Sequence, residues 1–125
     1  MKQWSEQRAW KFLAPRWDKA KPNRYGAYVM LFGQKPNGLC DCVFELWYRE
    51  RITDETWDAM VRRMRRHRPA SWRKHNPYWW GTTPADARRR AAFCRKMAKL
   101  AAKEESDGRK TLSDRENQLS IQPIG

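Results

Sequence analysis

The sequence predicts an α+β fold: a small antiparallel β-hairpin sheet packed against about three helices, in the order α-β-β-α-loop-α. Three observations predict it. Tyr25 to Gly33 is a short, aromatic-rich apolar run bounded by turn residues, which reads as a strand. Asn37-Gly38 follows it, a pair that tolerates the positive φ of a hairpin loop. Helix starts at Thr53 and Thr83, each leading into apolar residues at helical spacing, supply the cover that a lone hairpin needs.

Residues 3–13 form a short first helix, with Ser5 as its cap and Trp10, Leu13 and Trp17 near helical spacing. Pro15 is expected to stop it, and residues 14–24 read as a basic connector. The connector and the later loop each leave room for a third strand. Leu39 to Tyr48 is expected to be the hairpin's second strand. Its Leu39, Asp41, Val43, Glu45 and Trp47 fall on one face, and Cys40, Cys42, Phe44, Leu46 and Tyr48 on the other. The second face has no charge, so Phe44 and Leu46 are expected in the core.

Thr53-Asp54-Glu55 opens the next helix with a cap and first-turn acids. Trp57, Met60, Val61 and Met64 mark its buried stripe, and Arg68-Pro69 ends it. Residues 69–82 read as an aromatic-basic loop. Thr83-Pro84-Ala85-Asp86 begins the last helix, with Thr as cap, Pro at the first helical position and Asp at the third. That helix is expected to run to about Glu104. Phe93, Met97 and Leu100 form its core stripe, and Ala87, Ala91, Ala98 and Ala102 form a small-residue strip that allows close packing. Residues 1–104 are thus expected as a single basic domain, and residues 105–125, polar and without periodicity, as a flexible tail.

The charge distribution carries the functional reading. Residues 62–103 hold fourteen Lys and Arg against one acid, Asp86, a net +13 that equals the charge of the whole chain. In their midst runs Trp72-Arg73-Lys74-His75-Asn76-Pro77-Tyr78-Trp79-Trp80. Cations meet phosphates and flat rings stack on bases, so this pairing fits a nucleic-acid strand. The expected contacts are Arg62, Arg63, Arg65, Arg66, Arg73, Lys74, Arg88, Arg95 and Lys99 on phosphates, with Trp79 and Trp80 stacking, which favours single strands or distorted duplex. Trp72 and Tyr78 are further stacking candidates. The bland alternatives are that the cations only solvate a surface, and that some of the rings plug the core between the last two helices.

Other chemistries lack a foothold. Cys40, Cys42, His67 and His75 do not show zinc-ligand spacing, since the thiols are C-x-C and seven residues separate the histidines. They read better as core thiols and isolated imidazoles, so no metal or cofactor is expected. Asp41, Glu45, Glu50 and Asp54 lack the following Lys of a metal-dependent nuclease, and no phosphate loop or nucleophile signature is present. No apolar run approaches the ~20 residues of a membrane span, the N-terminus lacks a signal peptide's apolar core, and three cysteines fit a reducing compartment. A cytoplasmic protein is expected.

Asn76-Pro77-Tyr78-Trp79-Trp80-Gly81-Thr82-Thr83-Pro84-Ala85-Asp86-Ala87-Arg88 resembles a loop-to-helix segment in the rolling-circle replication initiators of temperate tailed phages. It covers about a tenth of the chain. The His-hydrophobe-His metal pair of those endonucleases is absent, as is an identifiable nucleophilic tyrosine on a following helix. The resemblance therefore implies a phage setting, in the host cytoplasm, and DNA contact without nicking. The sequence reading is a non-catalytic nucleic-acid-binding protein, a phage or mobile-element accessory factor. Its alternative is a protein-interaction module that docks on an acidic partner surface and inhibits or recruits it.

Overall fold

A computed structural model describes the backbone of residues 3–32, 35–75 and 81–121, and the side chains of residues 3–30, 38–72 and 81–107. It shows an α+β fold, mostly helical, with five helices and a small antiparallel sheet among the described residues.

Helix α1 spans Glu6–Asp18. The Ser5 hydroxyl accepts the Arg8 N–H at 3.2 Å and caps it. Ala9, Trp10, Leu13, Ala14 and Trp17 are its buried residues. The expected stop at Pro15 does not occur. Proline cannot donate to the Lys11 carbonyl, but Lys11 and Pro15 are both exposed, so water can serve that carbonyl. Burying a Trp removes roughly 150–250 Å² from water, about 4–6 kcal/mol gross. That exceeds the ~3 kcal/mol of an interior proline, and Trp17, two residues past Pro15, is fully buried.

Three short strands follow in spatial order β1-β2-β3, all antiparallel: β1 Lys21–Pro22, β2 Tyr28–Phe32 and β3 Lys35–Asn37. The connector thus contributes the third strand. Asn23 shapes the turn between β1 and β2, its side-chain oxygen accepting the N–H groups of Tyr25 and Ala27 at 2.9 and 3.1 Å. Gly26 adopts φ +82 there, a left-handed conformation that glycine takes without strain.

The hairpin's second strand is β3, lying where the turn was expected. Residues Leu39–Tyr48 form helix α2 instead. This is the main correction to the sequence reading. With eight apolar residues in ten, the segment satisfies two periods at once. Leu39, Cys42, Val43 and Leu46 recur at i, i+3, i+4 and i+7, and these four are buried. Leu46 is core as expected, whereas Phe44 is 45 % exposed. α2 closes with a Schellman pairing: the Arg51 N–H donates to the Leu46 carbonyl and the Glu50 N–H to the Trp47 carbonyl.

Helix α3 spans Asp54–His67, capped by the Thr53 hydroxyl, which accepts the Thr56 N–H at 3.1 Å. Met60 and Met64 are buried, and Trp57 and Val61 are half-buried. The expected loop begins with a short helix, α4, Ala70–His75. Gly81 then bridges to Tyr28, exchanging N–H···O bonds of 2.6 and 3.0 Å. A Cβ on Gly81 would lie 3.0 Å from that of Asp86 and 3.1 Å from the Ala87 nitrogen, so any side chain here would push the start of the following helix away by a few tenths of an ångström.

Helix α5 spans Pro84–Ile121, well past the expected end near Glu104. Residues 105–121, expected as a tail, have helical backbone. The Thr83 hydroxyl accepts the Asp86 N–H at 3.1 Å, as the capping pattern predicts. Ala87, Ala91 and Ala98 are buried, and this small strip lets α5 lie close along α1, the most extensive pairing in the fold. Phe93 and Met97 are buried and Leu100 half-buried. Among the described residues no helix is long and apolar enough to cross a membrane.

Candidate nucleic-acid interface

The seating of α5 on α1 decides which way its cations point. Each residue turns a helix by about 100°. With Ala87, Ala91, Cys94, Ala98 and Ala101 facing the core, the opposite arc between residues 88 and 103 carries Arg88, Arg89, Ala92, Arg95, Lys96, Lys99 and Lys103. All seven are exposed, six are cationic and none is acidic. The arc extends roughly 22 Å at 1.5 Å per residue. Arg95 pairs with Asp18 of α1, and Arg89 with Asp86 at 2.7 Å. Arg88 and Lys99 make no ion pair among the described residues.

Helix α3 adds a second bank of charge. Arg62 and Arg66 are exposed, and together with Arg63, His67 and Glu104 they line a shallow depression between α3 and α5. His67 marks where the banks meet. Its imidazolium is disfavoured first by burial and then by Lys96 of α5 and by Arg66 and Arg63 of α3, so its pKa lies below 6.5. On this side the cations of the two helices share one positive field.

Several expected contacts lie elsewhere. The Arg63 guanidinium is held inside the protein, donating to Glu6 at 2.6 and 3.0 Å and also to Glu104. Its side chain is only 12 % exposed, and it holds the Glu104 carboxyl below the usual range. Arg63 therefore ties α1, α3 and α5 together and leaves the phosphate-contact set. Arg65 is exposed on the flank of α3 that faces α2, beside Cys40 and Val43, about 60° round the helix from Arg62. Arg73 and Lys74 belong to α4, with side chains outside the described residues, and Trp79 and Trp80 lie outside them altogether.

Trp72 is not a stacking platform for bases. It is buried, its ring 5.1 Å from Phe93 and covered by the Arg90 guanidinium at 4.2 Å. The core-plug alternative thus holds for this ring. Arg90 itself is 3 % exposed and donates to the Asp86 carbonyl at 3.3 Å. Sequence reasoning missed it as a core residue, although its angle on the helix places it beside Phe93 and Met97. It also passed over Arg89 and Lys96, which the same angular reckoning puts on the basic arc.

A cleft of about 600 Å³ opens beside the arc, floored by Trp72 and Phe93 and bordered by His67, Asp86, Arg89 and Lys96. Burial works to raise the Asp86 carboxyl, but the Thr82 hydroxyl and N–H, with Arg89 and Thr83, bring it down to about 2. It stays ionised at neutral pH as part of the helix start.

The thiols lie apart from this surface. Cys40 and Cys42 occupy helix positions about 200° apart, not one strand face. The Cys42 thiol donates to the Met30 sulfur at 3.6 Å. Burial raises the thiol pKa values, that of Cys40 to about 11. No group of three or more His, Cys, Asp or Glu able to hold a metal occurs among the described residues.

No protein-family model matches this chain, and comparison with curated proteins and with solved structures finds no match.

Proposed function

We propose that this chain binds nucleic acid, without catalysis of its own, through the outer arc of α5 and the adjoining Arg62 and Arg66 of α3. One observation carries the reading: over residues 88–103 the exposed arc holds six cations and no acid. A cation recurring about once per helical turn suits the regular charge of a phosphate backbone. Trp79 and Trp80, together with Arg73 and Lys74, belong to the proposal as stacking and phosphate groups on the strength of the sequence. They incline it toward single strands or distorted duplex. The resemblance of residues 76–88 supports the further proposal of a phage or mobile-element accessory role.

The test is a salt titration of binding to unrelated oligonucleotides. Log affinity should fall linearly with log salt. Replacing Arg88 and Lys99 by Ala should lower that slope by about one for each phosphate no longer neutralised, with melting temperature unchanged because both side chains are exposed. Failure of the wild-type protein to bind DNA or RNA at low salt would sink the proposal. An acidic protein would then be the better partner for the arc.

A further inference from the structure

The acids missing from the basic arc are gathered around the turn between α2 and α3. Residues 39–58 hold Asp41, Glu45, Glu50, Asp54, Glu55 and Asp58 against Arg49 and Arg51, a net −4 in a chain of +13. The same region carries three of the four exposed large aromatic side chains among the described residues: Phe44, Trp47 and Tyr48, at 45, 38 and 69 %. Phe44 stacks on Tyr48 with centroids 6.1 Å apart and leans on Trp47 at 5.7 Å and Trp57 at 6.0 Å. The Trp47 indole N–H donates to Asp54 at 2.6 Å, which joins the ring cluster to the start of α3. A cleft of about 490 Å³ lies alongside, bounded by Trp47, Tyr48, Glu50, Asp54 and Glu55.

Of these acids only Glu45 enters an ion pair among the described residues. Arg49 pairs with Glu45, and the Arg51 guanidinium lies over Trp4 at 5.4 Å. Among the described residues, Glu50, Asp54 and Glu55 enter no ion pair, and no guanidinium covers Phe44, Trp47 or Tyr48. Elsewhere the chain covers its rings in that way: Arg8 over Trp4 at 4.8 Å, Arg16 over Phe12 at 3.7 Å and Arg24 over Tyr25 at 4.8 Å. Carboxylates beside open aromatic faces repel phosphate and anionic headgroups. They suit a guanidinium, which pairs with the first and stacks on the second.

We propose that this patch docks an arginine-bearing, cationic segment of a protein partner. A second copy of the chain is the poorer occupant, because each copy carries +13 and copies repel. Within a Debye length, about 8 Å at physiological salt, the local negative charge governs instead. The site is separate from the basic arc, and its partner has the opposite charge.

The test is isothermal titration calorimetry with a terminally blocked Gly-Ser-Arg repeat peptide and its Gly-Ser-Gln counterpart. The arginine peptide should bind and the glutamine peptide should not. Tyr48→Ala and Glu50→Gln should each weaken binding about fivefold, the effect of removing one ring or one charge. Both side chains are exposed, so melting temperature and oligonucleotide affinity should stay at wild-type values. Equal binding of the two peptides, or arginine-peptide affinity untouched by both variants, would overturn the proposal. So would concentration-dependent self-association in sedimentation velocity that Tyr48→Ala abolishes, which would assign the patch to a second copy.

Discussion

His67 is the residue at which the two basic helices can be questioned together. Burial and three neighbouring cations keep it neutral, so its folded pKa lies below that of the unfolded chain. A base with a lowered folded pKa contributes stability above pH ~6.5, and that contribution fades as pH falls through the folded value. A phosphate lodged between α3 and α5 reverses the local field and favours the imidazolium. We expect the His67 titration midpoint, followed by NMR, to move up when an oligonucleotide binds, and affinity to rise as pH drops from 7 toward 6. A midpoint that binding leaves in place would confine the interface to α5. The role of Arg63 was not legible in the sequence for a plain reason. Its acceptors, Glu6 and Glu104, lie far away along the chain, and only the packing of three helices brings them together.

At the scale of elements, the starts of helices were legible, while two of their ends and the identity of one element were not. Ser5, Thr53 and Thr83 cap as read, because a side-chain oxygen beside the first orphan N–H groups is a local event. α2 was misread because an apolar-rich segment satisfies both the two-residue and the 3.6-residue period, and tertiary cover decides between them. The two readings differ in a measurable way. A strand would bury Phe44 and Leu46 alike, whereas the helix buries Leu46 and leaves Phe44 half open. Leu46→Ala should therefore cost about 2–5 kcal/mol in chemical denaturation. Phe44→Ala should cost about 1 kcal/mol, since its partners are themselves surface rings. Comparable large losses would restore the strand. The basic face was legible in part: Arg88, Arg95 and Lys99 were found by spacing. Arg63 is engaged within the protein and Arg65 faces α2, which spacing alone did not show, because a run of cations on a helix points in every direction until its buried side is known.

Over the whole molecule the charges separate into a cationic α3–α5 side and an anionic turn between α2 and α3, a division that the net figure of +13 conceals. The bridge between Tyr28 and Gly81 has a consequence for how this arrangement is assembled. It makes a ring of about 50 residues, from β2 through α4, fastened at its neck by two hydrogen bonds. Closing a flexible ring of that length costs about 3.5 kcal/mol in chain entropy, while two such bonds return about 2 kcal/mol net. The neck cannot hold itself shut. It closes once α1 and α5 have docked and carried both ends to the same place, and under native conditions it is among the first contacts to part. Amide hydrogen exchange should show this, with Tyr28 and Gly81 exchanging well ahead of Cys94 and Met97 in the middle of α5. Equal protection at all four would mean that the ring opens only when the whole protein does. In either case the clasp at Gly81 borrows its strength from the packing of α1 and α5, the second of which begins only three residues further on.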